Sequence, residues 1–566
     1  NGGFGLMFAY DRIDELEFEC KTILQELKNA SAFSNMESKI PILCSKLISA
    51  IESNEMNKIM AQINEVREEL EPVREYMKKS TIHLIGHAHI DMNWFWPMEE
   101  TIDVVGRDFR TMLEIMEEYP EFRFSQSQCA TYEIAEQYYP ELFAKIQDAH
   151  KNGKWDITAS AWVEGDLNMA AGEAIVRHII YSNDYLKEKF NYSPCIMWCP
   201  DTFGHSANIP QILKKSNIDY YFFTRCGANS DYLPLEGDKN LHEILHTPIF
   251  WWKGLDGSKV FACNMLYNYD IEPGTISKLA FHLKDNYDIS EGVVVYGTGD
   301  HGGGPTRRDI NHAIKLNEYP AMPSIKFDKS SDALSLVKKS DKGKIKERYG
   351  EMNFIFDGCY TTHADIKYYN RKCENILSTA ETINTLSALN GYYYKTENIK
   401  ELWKKALFNQ FHDIFDGSGV QDTYEFSKKL ADEVEHGANN IIKESISWLT
   451  KSKPETAGKE SLILFNTSSW DRNDIAYAKL PDETLVDFSL KDENENEIPY
   501  QQEDGGIFVN AGWIPSFGAK KLIVFDEKKK ITKPGCKKIE EDNFNYIIET
   551  DIYFIKIKKC SGEIVT

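Results

Sequence analysis

Thr81-Ile-His-Leu-Ile-Gly-His-Ala-His-Ile-Asp-Met-Asn-Trp94 joins an apolar run of strand length to two histidines, an aspartate and a tryptophan. Such a run, bounded by polar and turn residues, predicts a buried strand. Six more runs of this kind follow, at 122–124, 155–162, 195–199, 220–223, 259–263 and 293–296. Between them lie amphipathic stretches with helical spacing, including 101–118, 172–190 and 306–316. Alternation of strand and helix repeated this often predicts an α/β fold with a parallel sheet, here a seven-stranded barrel-like catalytic domain over 80–360.

The flanks read differently. Residues 1–79 have apolar positions at helical spacing (Met60, Ile63, Val66, Leu70) until Pro72 interrupts them, which predicts an N-terminal helical segment. Residues 361–452 predict a three-helix bundle. Beyond a Lys/Pro/Glu/Gly-rich linker, alternating segments at 462–465, 475–479, 507–510 and 522–525 predict the beginning of a β-sandwich domain over 460–566. A stretch resembling a hairpin turn closes the sequence, and this last domain is expected to be incomplete.

Composition narrows the function. Asp and Glu total 88 against 65 Lys and Arg, a net charge of -23, which argues against nucleic acid and anionic membrane surfaces as partners. No apolar run reaches the ~18 residues of a membrane span. The eleven cysteines have no repeated spacing and several sit in apolar runs, so reduced thiols and a cytoplasmic location are expected. The opening Asn-Gly-Gly-Phe-Gly has neither an initiator Met nor a signal-like pattern.

Ligands of α/β folds gather beyond the carboxyl ends of the strands. Four strands are followed there by carboxylates: Asp91, then Glu164 and Asp166, then Asp201, then Asp300. His89 and Asp91, two apart, project to one side of an extended chain and form half a zinc site, or else a hydrogen-bonded turn. Asp166 offers a carboxylate for glycoside hydrolysis beside Glu164, or caps the next helix. Asp300 opens a Gly-Gly-Gly-Pro stretch that lacks the ending of a phosphate loop and reads as a turn. His412 near a helix end is by itself unremarkable. His242-Glu243-Ile-Leu-His246 matches a zinc-protease signature, but Pro248 leaves it barely two helical turns.

Taken together, five ordered blocks resemble glycoside hydrolase family 38 α-mannosidases of the bacterial and cytosolic subgroup. These are His87-Ala-His-Ile-Asp-Met-Asn-Trp94, Trp162-Val-Glu-Gly-Asp166 with Gly172-Glu173, Trp198-Cys-Pro-Asp-Thr-Phe-Gly-His205, Gly299-Asp-His-Gly-Gly-Gly-Pro-Thr306 and Asn409-Gln-Phe-His-Asp413. Met92-Asn93 and Phe411 depart from the Golgi and lysosomal pattern without touching the implied ligands. The resemblance implies one Zn2+ per chain, held by His89, Asp91, Asp166 and His412, with Asp166 also the nucleophile and Asp300 the acid/base. It further implies Trp94 as a wall under the sugar, Asp413 as a hydroxyl partner, and Asp201 and Arg225 as substrate contacts, with Glu164 and His205 near the ligands. The implied function is retaining hydrolysis of terminal α-mannosides through a covalent glycosyl-aspartate, in a chain compatible with a homo-oligomer. Two other classes compete: a metalloprotease or amidohydrolase using His242 and His246, and a carbohydrate-binding protein without turnover.

Overall fold

The computed structural model describes residues 2–225, 248–265, 267–268, 270–353, 356–451, 461–479, 488–503, 505–525, 536–550 and 552–565. The His242-to-His246 motif lies outside them. The chain divides into two compact units, one of residues 1–381 and 395–442, the other of 382–394 and 443–566.

All seven expected apolar runs of the first unit contain strands. They are β1 (Thr81–His87), β2 (Phe124–Gln126), β3 (Trp155–Ile157), β4 (Ile196–Cys199), β5 (Tyr220–Phe223), β7 (Lys259–Cys263) and β9 (Glu291–Tyr296). Four more join them: β6 (Ile249–Lys253), β8 (Tyr267–Asn268), β10 (Ser324–Phe327) and β11 (Glu347–Tyr349). The first sheet runs β3-β2-β1-β9-β8, with β10 also paired to β1, and every pairing in it is parallel. The second runs β11-β6-β7-β5-β4 and is parallel except where β6 meets β7.

Among the described residues these strands form two sheets and no closed barrel, where the alternation predicts a seven-stranded barrel-like arrangement. The break lies between β3 and β4, where β3 ends after three residues. The Ile196 carbonyl on β4 accepts the Ser160 hydroxyl (2.7 Å) instead of a strand partner. β1 is buried along its whole length, as a strand covered on both faces should be.

Helices appear where the periodicity places them, at Met98–Glu118, Gly172–Phe190 and Arg307–Leu316. The last begins with a capping box in which Thr306 and Asp309 satisfy each other's backbone N–H. The N-terminal helices Gly2–Ala30, Ile40–Glu52 and Met56–Leu70 belong to the same unit as the sheets. Ile59, Ile63, Val66 and Leu70 are the buried stripe of the third, and Pro72 stands in the 3-10 turn that ends it. The Asn29 amide donates to the Ala321 carbonyl (2.8 Å) and the Glu26 carboxylate accepts the Ala321 N–H (2.6 Å), tying the first helix to the loop before β10. The long helices Ala364–Leu389, Thr396–Phe408 and Gln421–Lys451 come next, with a five-residue helix, His412–Asp416, inserted between the second and third.

In the second unit, antiparallel strands form a four-stranded sheet (β12-β18-β14-β15) and a three-stranded sheet (β13-β17-β16). Their ranges are β12 Ser461–Phe465, β13 Arg472–Lys479, β14 Ser489–Lys491, β15 Glu497–Ile498, β16 Tyr500–Glu503, β17 Gly506–Ile514 and β18 Ala519–Phe525. Leu490, Leu522 and Val524 of the former share one apolar cluster with Ile507 and Val509 of the latter. A third antiparallel sheet spans 536–558, and the turn at Gly562 (φ +71°) brings Ile564 back beside Ile557.

At the amino end of β1, the buried His83 ring lies between two carboxylates. Its Nδ1 is 3.0 Å from Asp328 Oδ2 and its Nε2 is 2.8 Å from Glu291 Oε2. An ionised carboxylate only accepts hydrogen bonds, so both nitrogens must carry protons. Burial works to lower the His83 pKa, but the bonds to Asp328 and Glu291 outweigh it and raise it. The raised value means the clasp's stability is fully present below the ordinary histidine pKa of about 6.5 and is lost as pH rises through the folded-state value. Melting temperatures measured from mildly acidic to alkaline pH should show this loss. His83→Leu should flatten that slope and cost roughly 2 kcal/mol at neutral pH.

Candidate active site

The site is assembled by a short irregular segment, residues 163–168, lying between two others. On one side Gly165 forms an antiparallel bridge with Phe411: the Asp166 N–H donates to the Gln410 carbonyl (3.1 Å) and the His412 N–H donates to the Glu164 carbonyl (3.2 Å). A Cβ on Gly165 would sit 2.8 Å from the Gln410 carbonyl oxygen, so this approach requires glycine. On the other side the Leu167 N–H donates to the Gly204 carbonyl (3.1 Å), joining the segment to the chain just past β4. Residues from a helical region and from two strand ends are thus brought to one point.

Four side chains converge there. One ligand atom from each of His89, Asp91, Asp201 and His412 lies within 4.8 Å of all the others. His89 Nε2 is 2.9 Å from Asp91 Oδ1, and His412 Nε2 is 3.3 Å from the same oxygen and 3.5 Å from Asp201 Oδ2. The two imidazoles lie nearly parallel, 5.6 Å apart. His89, Asp91 and His412 are almost wholly buried, whereas 18% of the Asp201 side chain is exposed.

Two imidazoles and two carboxylates are a donor set that suits zinc. The polar atoms fit that use. Asp91 Oδ1, His89 Nε2 and His412 Nε2 are buried yet make no well-directed hydrogen bond, since they aim at a shared centre and not along one another's lone pairs. The electrostatics agree. Burial should lower the His89 pKa, but Asp91 and Glu164 overcome it and lift it to about 9. Burial opposes charge on His412 too, and Asp413, Asp201 and Asp91 drive its pKa well up. Burial, then the charge of Asp91, pushes the Asp413 carboxyl well up. The carboxylates draw positive charge to this point, which protonated imidazoles meet here and a divalent cation would supply in their place.

Asp166 is not in this cluster, and Asp201 occupies the fourth position in its place. Asp166 Oδ1 accepts the backbone N–H groups of Asn168 (2.8 Å) and Met169 (2.5 Å), while its buried Oδ2 makes no hydrogen bond. It is the turn-capping reading of Asp166, not the ligand reading, that the geometry matches. Burial raises its pKa to about 6 against the pull of those two amides. Asp201 differs. Burial works to raise its pKa, but the adjacent His412 imidazole and the nearby Arg225 charge hold it well below the ordinary range. The Arg225 Nε donates to Asp201 Oδ1.

A cavity of about 520 Å3 opens onto the cluster, a size that suits a small ligand. Asp91, Trp94, Asp201, Arg225, Asp300 and Asp413 line it, together with Phe203, Phe356, Cys359, Thr362, Asp416 and Ser418. The Trp94 indole N–H donates to the Ser418 hydroxyl (3.0 Å), which fixes that wall. Asp300, at φ +69°, stands where a glycine turn begins. Its carbonyl accepts the Asp91 N–H (2.8 Å), and the turn is closed by paired bonds between Thr298 and Gly304 and by Asp108, which accepts the Gly303 N–H (2.7 Å). This stretch is the turn it reads as.

His87 is satisfied internally, whereas His205 is paired at Nδ1 and leaves its buried Nε2 without a hydrogen bond. The His87 Nδ1–H donates to the Ser125 carbonyl (2.8 Å), and burial lowers its pKa to about 3. His205 pairs with the Tyr221 hydroxyl (2.6 Å) and burial lowers it likewise. Two participants escape a search for carboxylates and histidines. Ser418 was hidden in the Gly417-Ser-Gly turn. Gln128 carries an amide, although its position just after β2 obeys the same strand-end rule as the others.

Residues 79–358 match the glycosyl hydrolases family 38 N-terminal domain, and residues 355–449 match the alpha mannosidase middle domain. Among similar proteins, alpha-mannosidase 2C1 of Homo sapiens is 31% identical over 401 residues, which is 70% of this chain and 37% of that protein. Alpha-mannosidase G of Dictyostelium discoideum is 31% identical over 376 residues, 66% of this chain and 34% of its own length. The chain therefore spans little more than a third of these relatives. In fold it resembles the crystal structure of an alpha-mannosidase from Enterococcus faecalis V583, with a TM-score of 0.68 at 18% identity over 86% of this chain and 61% of that one. With two consecutive domains of one enzyme family covering residues 79–449, the chain belongs to glycosyl hydrolase family 38.

Proposed function

We propose that this chain carries the catalytic centre of a zinc-dependent retaining α-mannosidase. The observation that supports it most is the cluster's asymmetry: His89, His412 and Asp91 are almost wholly buried, Asp201 is partly exposed, and the two carboxylates line a sugar-sized cavity. A catalytic metal site needs such an open side. His89, Asp91, Asp201 and His412 would hold the ion, which when bound supplies charge stabilisation and orientation for the substrate hydroxyls. We assign the fourth ligand and the nucleophile to Asp201 in place of Asp166, because Asp201 belongs to the convergent cluster and lines the cavity, whereas Asp166 Oδ1 caps the turn at 168–169.

The chain's own groups account for the rest. Asp201 is kept ionised by His412 and Arg225, as a nucleophile must be, and would form the glycosyl ester. Asp300 lines the same cavity outside the metal cluster and would protonate the departing oxygen, then activate water. Trp94 offers a flat apolar face to the ring, and Asp413, beside His412 at 3.5 Å, would accept a sugar hydroxyl. The relatives' names support an α-mannoside as substrate. A cytoplasmic location is supported only by cysteine usage. Among the described residues, no helix is long and apolar enough to cross a membrane.

Three measurements test this. On an aryl α-mannoside, Asp201→Asn should lower kcat by about 10^3-fold or more, as loss of a nucleophile does. Asp166→Asn should retain most turnover, and Asp300→Ala should fail chiefly on poor leaving groups; full activity in Asp201→Asn would refute the assignment. Prolonged chelation should abolish activity, with zinc restoring it; activity that persists in metal-free protein, verified by elemental analysis, would remove the metal from the account. Proton NMR of the first product should show α-mannose, and β-mannose would rule out retention.

A further inference from the structure

We infer that Glu164 is the positioning residue of the metal cluster, holding three of its four members at once, with Gln128 as the strut that holds Glu164. The inference rests on the metal-site reading above and assigns a role to groups outside the ligand set.

The contacts of Glu164 use both its side chain and its backbone. Its Oε1 accepts the Asp201 backbone N–H at 2.6 Å, with the Thr202 hydroxyl at 3.5 Å. Its Oε2 faces His89 Nδ1 at 3.5 Å. Its carbonyl accepts the His412 Nδ1–H at 2.7 Å and the His412 backbone N–H at 3.2 Å. Each imidazole therefore turns Nδ1 toward Glu164 and Nε2 toward the shared centre. That is how a second acceptor fixes the tautomer and ring orientation of a metal-binding histidine.

The side chain is fully buried, and neither Glu164 Oε2 nor His89 Nδ1 makes a hydrogen bond, so at 3.5 Å they face each other as an ion-pair contact. A carboxylate enclosed in this way needs cationic or hydrogen-bonding partners to be tolerated, and the cluster provides them. Gln128 completes the frame. Its Oε1 accepts the Glu164 N–H (3.0 Å), and its Nε2 donates to the carbonyl of Ile90 (2.7 Å), the residue between His89 and Asp91. Gln128 does this from a left-handed backbone conformation, φ +62°, which a side chain of this kind rarely adopts unless its surroundings hold it there. One glutamine side chain thus couples the β1 end to the segment carrying Glu164.

The charge and both oxygens of Glu164 matter separately. In Glu164→Gln the volume is kept, but one oxygen must choose between the Asp201 amide and the His89 ring, and an NH2 group confronts whichever is left. The consequence should be a misdirected His89, read as weaker and distorted metal binding and not merely as lost stability.

The test uses the whole chain, stripped by chelation and titrated with Co2+ as a visible probe, with its d–d spectrum and dissociation constant recorded. The unmodified protein should bind one equivalent. Glu164→Gln should bind about 10- to 100-fold more weakly, with displaced or weakened d–d bands, while the metal-free melting curve stays cooperative. Unchanged affinity and spectrum would overturn the positioning role. Should that variant not fold, Gln128→Leu is read in the same way: weaker binding with an altered spectrum supports the frame, and an unaltered site overturns it. If the unmodified chain takes up no Co2+, the metal-site reading itself fails and this inference falls with it, a result distinct from a silent Glu164→Gln.

Discussion

The backbone pairing of residues 164–166 with 410–412 is the constraint on which the site depends. It is only two main-chain hydrogen bonds long, yet it spans nearly 250 residues of sequence and delivers His412 from the helical region to the strand ends. Its register matters more than its strength. Because Gly165 lies against the Gln410 carbonyl, the two chains approach closely enough for Glu164 to reach His412 with its carbonyl and His89 with its carboxylate. A shift of one residue would turn the Glu164 side chain to the opposite side and leave both imidazoles without their Nδ1 acceptors.

That geometry concentrates negative charge where water is nearly absent. Glu164, Asp91, Asp201 and Asp413 surround two histidines, and Arg225 is the cation that the cavity wall adds. Buried carboxylates in such number oppose folding unless protons or a cation neutralise them. The raised pKa values of His89 and His412 express the first solution, with the imidazoles charged. A divalent ion would be the second, and it would displace those protons. Metal affinity and folding are coupled in an arrangement of this kind, since the repulsion among these carboxylates would reward an ion that enters it.

Much of this was legible from the residues in order. Strands show themselves by short apolar runs, and helices such as Gly172–Phe190 by spacing, because burial of one face is a local requirement. His89, Asp91 and Asp201 could be found among the residues just past each strand, and His412 by resemblance. The choice between Asp166 and Asp201 could not. Both come after an apolar run, Trp155–Trp162 and Cys195–Cys199, within a few residues of its end. They differ in that Asn168 and Met169 fold back onto Asp166, while the main chain at Asp201 is held by Glu164. Those are tertiary facts with no periodic trace. Nor could alternation of elements say whether the strands close, since pairing at the sheet edges, where β3 stops after three residues and Ser160 bonds the Ile196 carbonyl of β4, leaves no periodic mark in the sequence. Gln128 was missed because amides are common and its role lies in an unusual backbone angle.

The fold also separates stability from chemistry along β1. At its amino end, His83 is saturated: both nitrogens meet carboxylates, so the ring is locked in one charge state and one orientation. At the carboxyl end, His87 is saturated as a neutral ring, with Ser125 accepting from one nitrogen and Trp198 donating to the other at 3.4 Å. Two residues later His89 departs from this pattern, its Nε2 directed to no well-formed bond. The three histidines share a strand and its immediate extension, and burial alone would make all three neutral and inert. What distinguishes His89 is that its partners are incomplete, a condition the interior tolerates only because Glu164 and Gln128 fix the surroundings from behind. Polar atoms aimed at one centre, with Glu164 and Gln128 packed behind them, leave Asp201 with one edge toward the cavity.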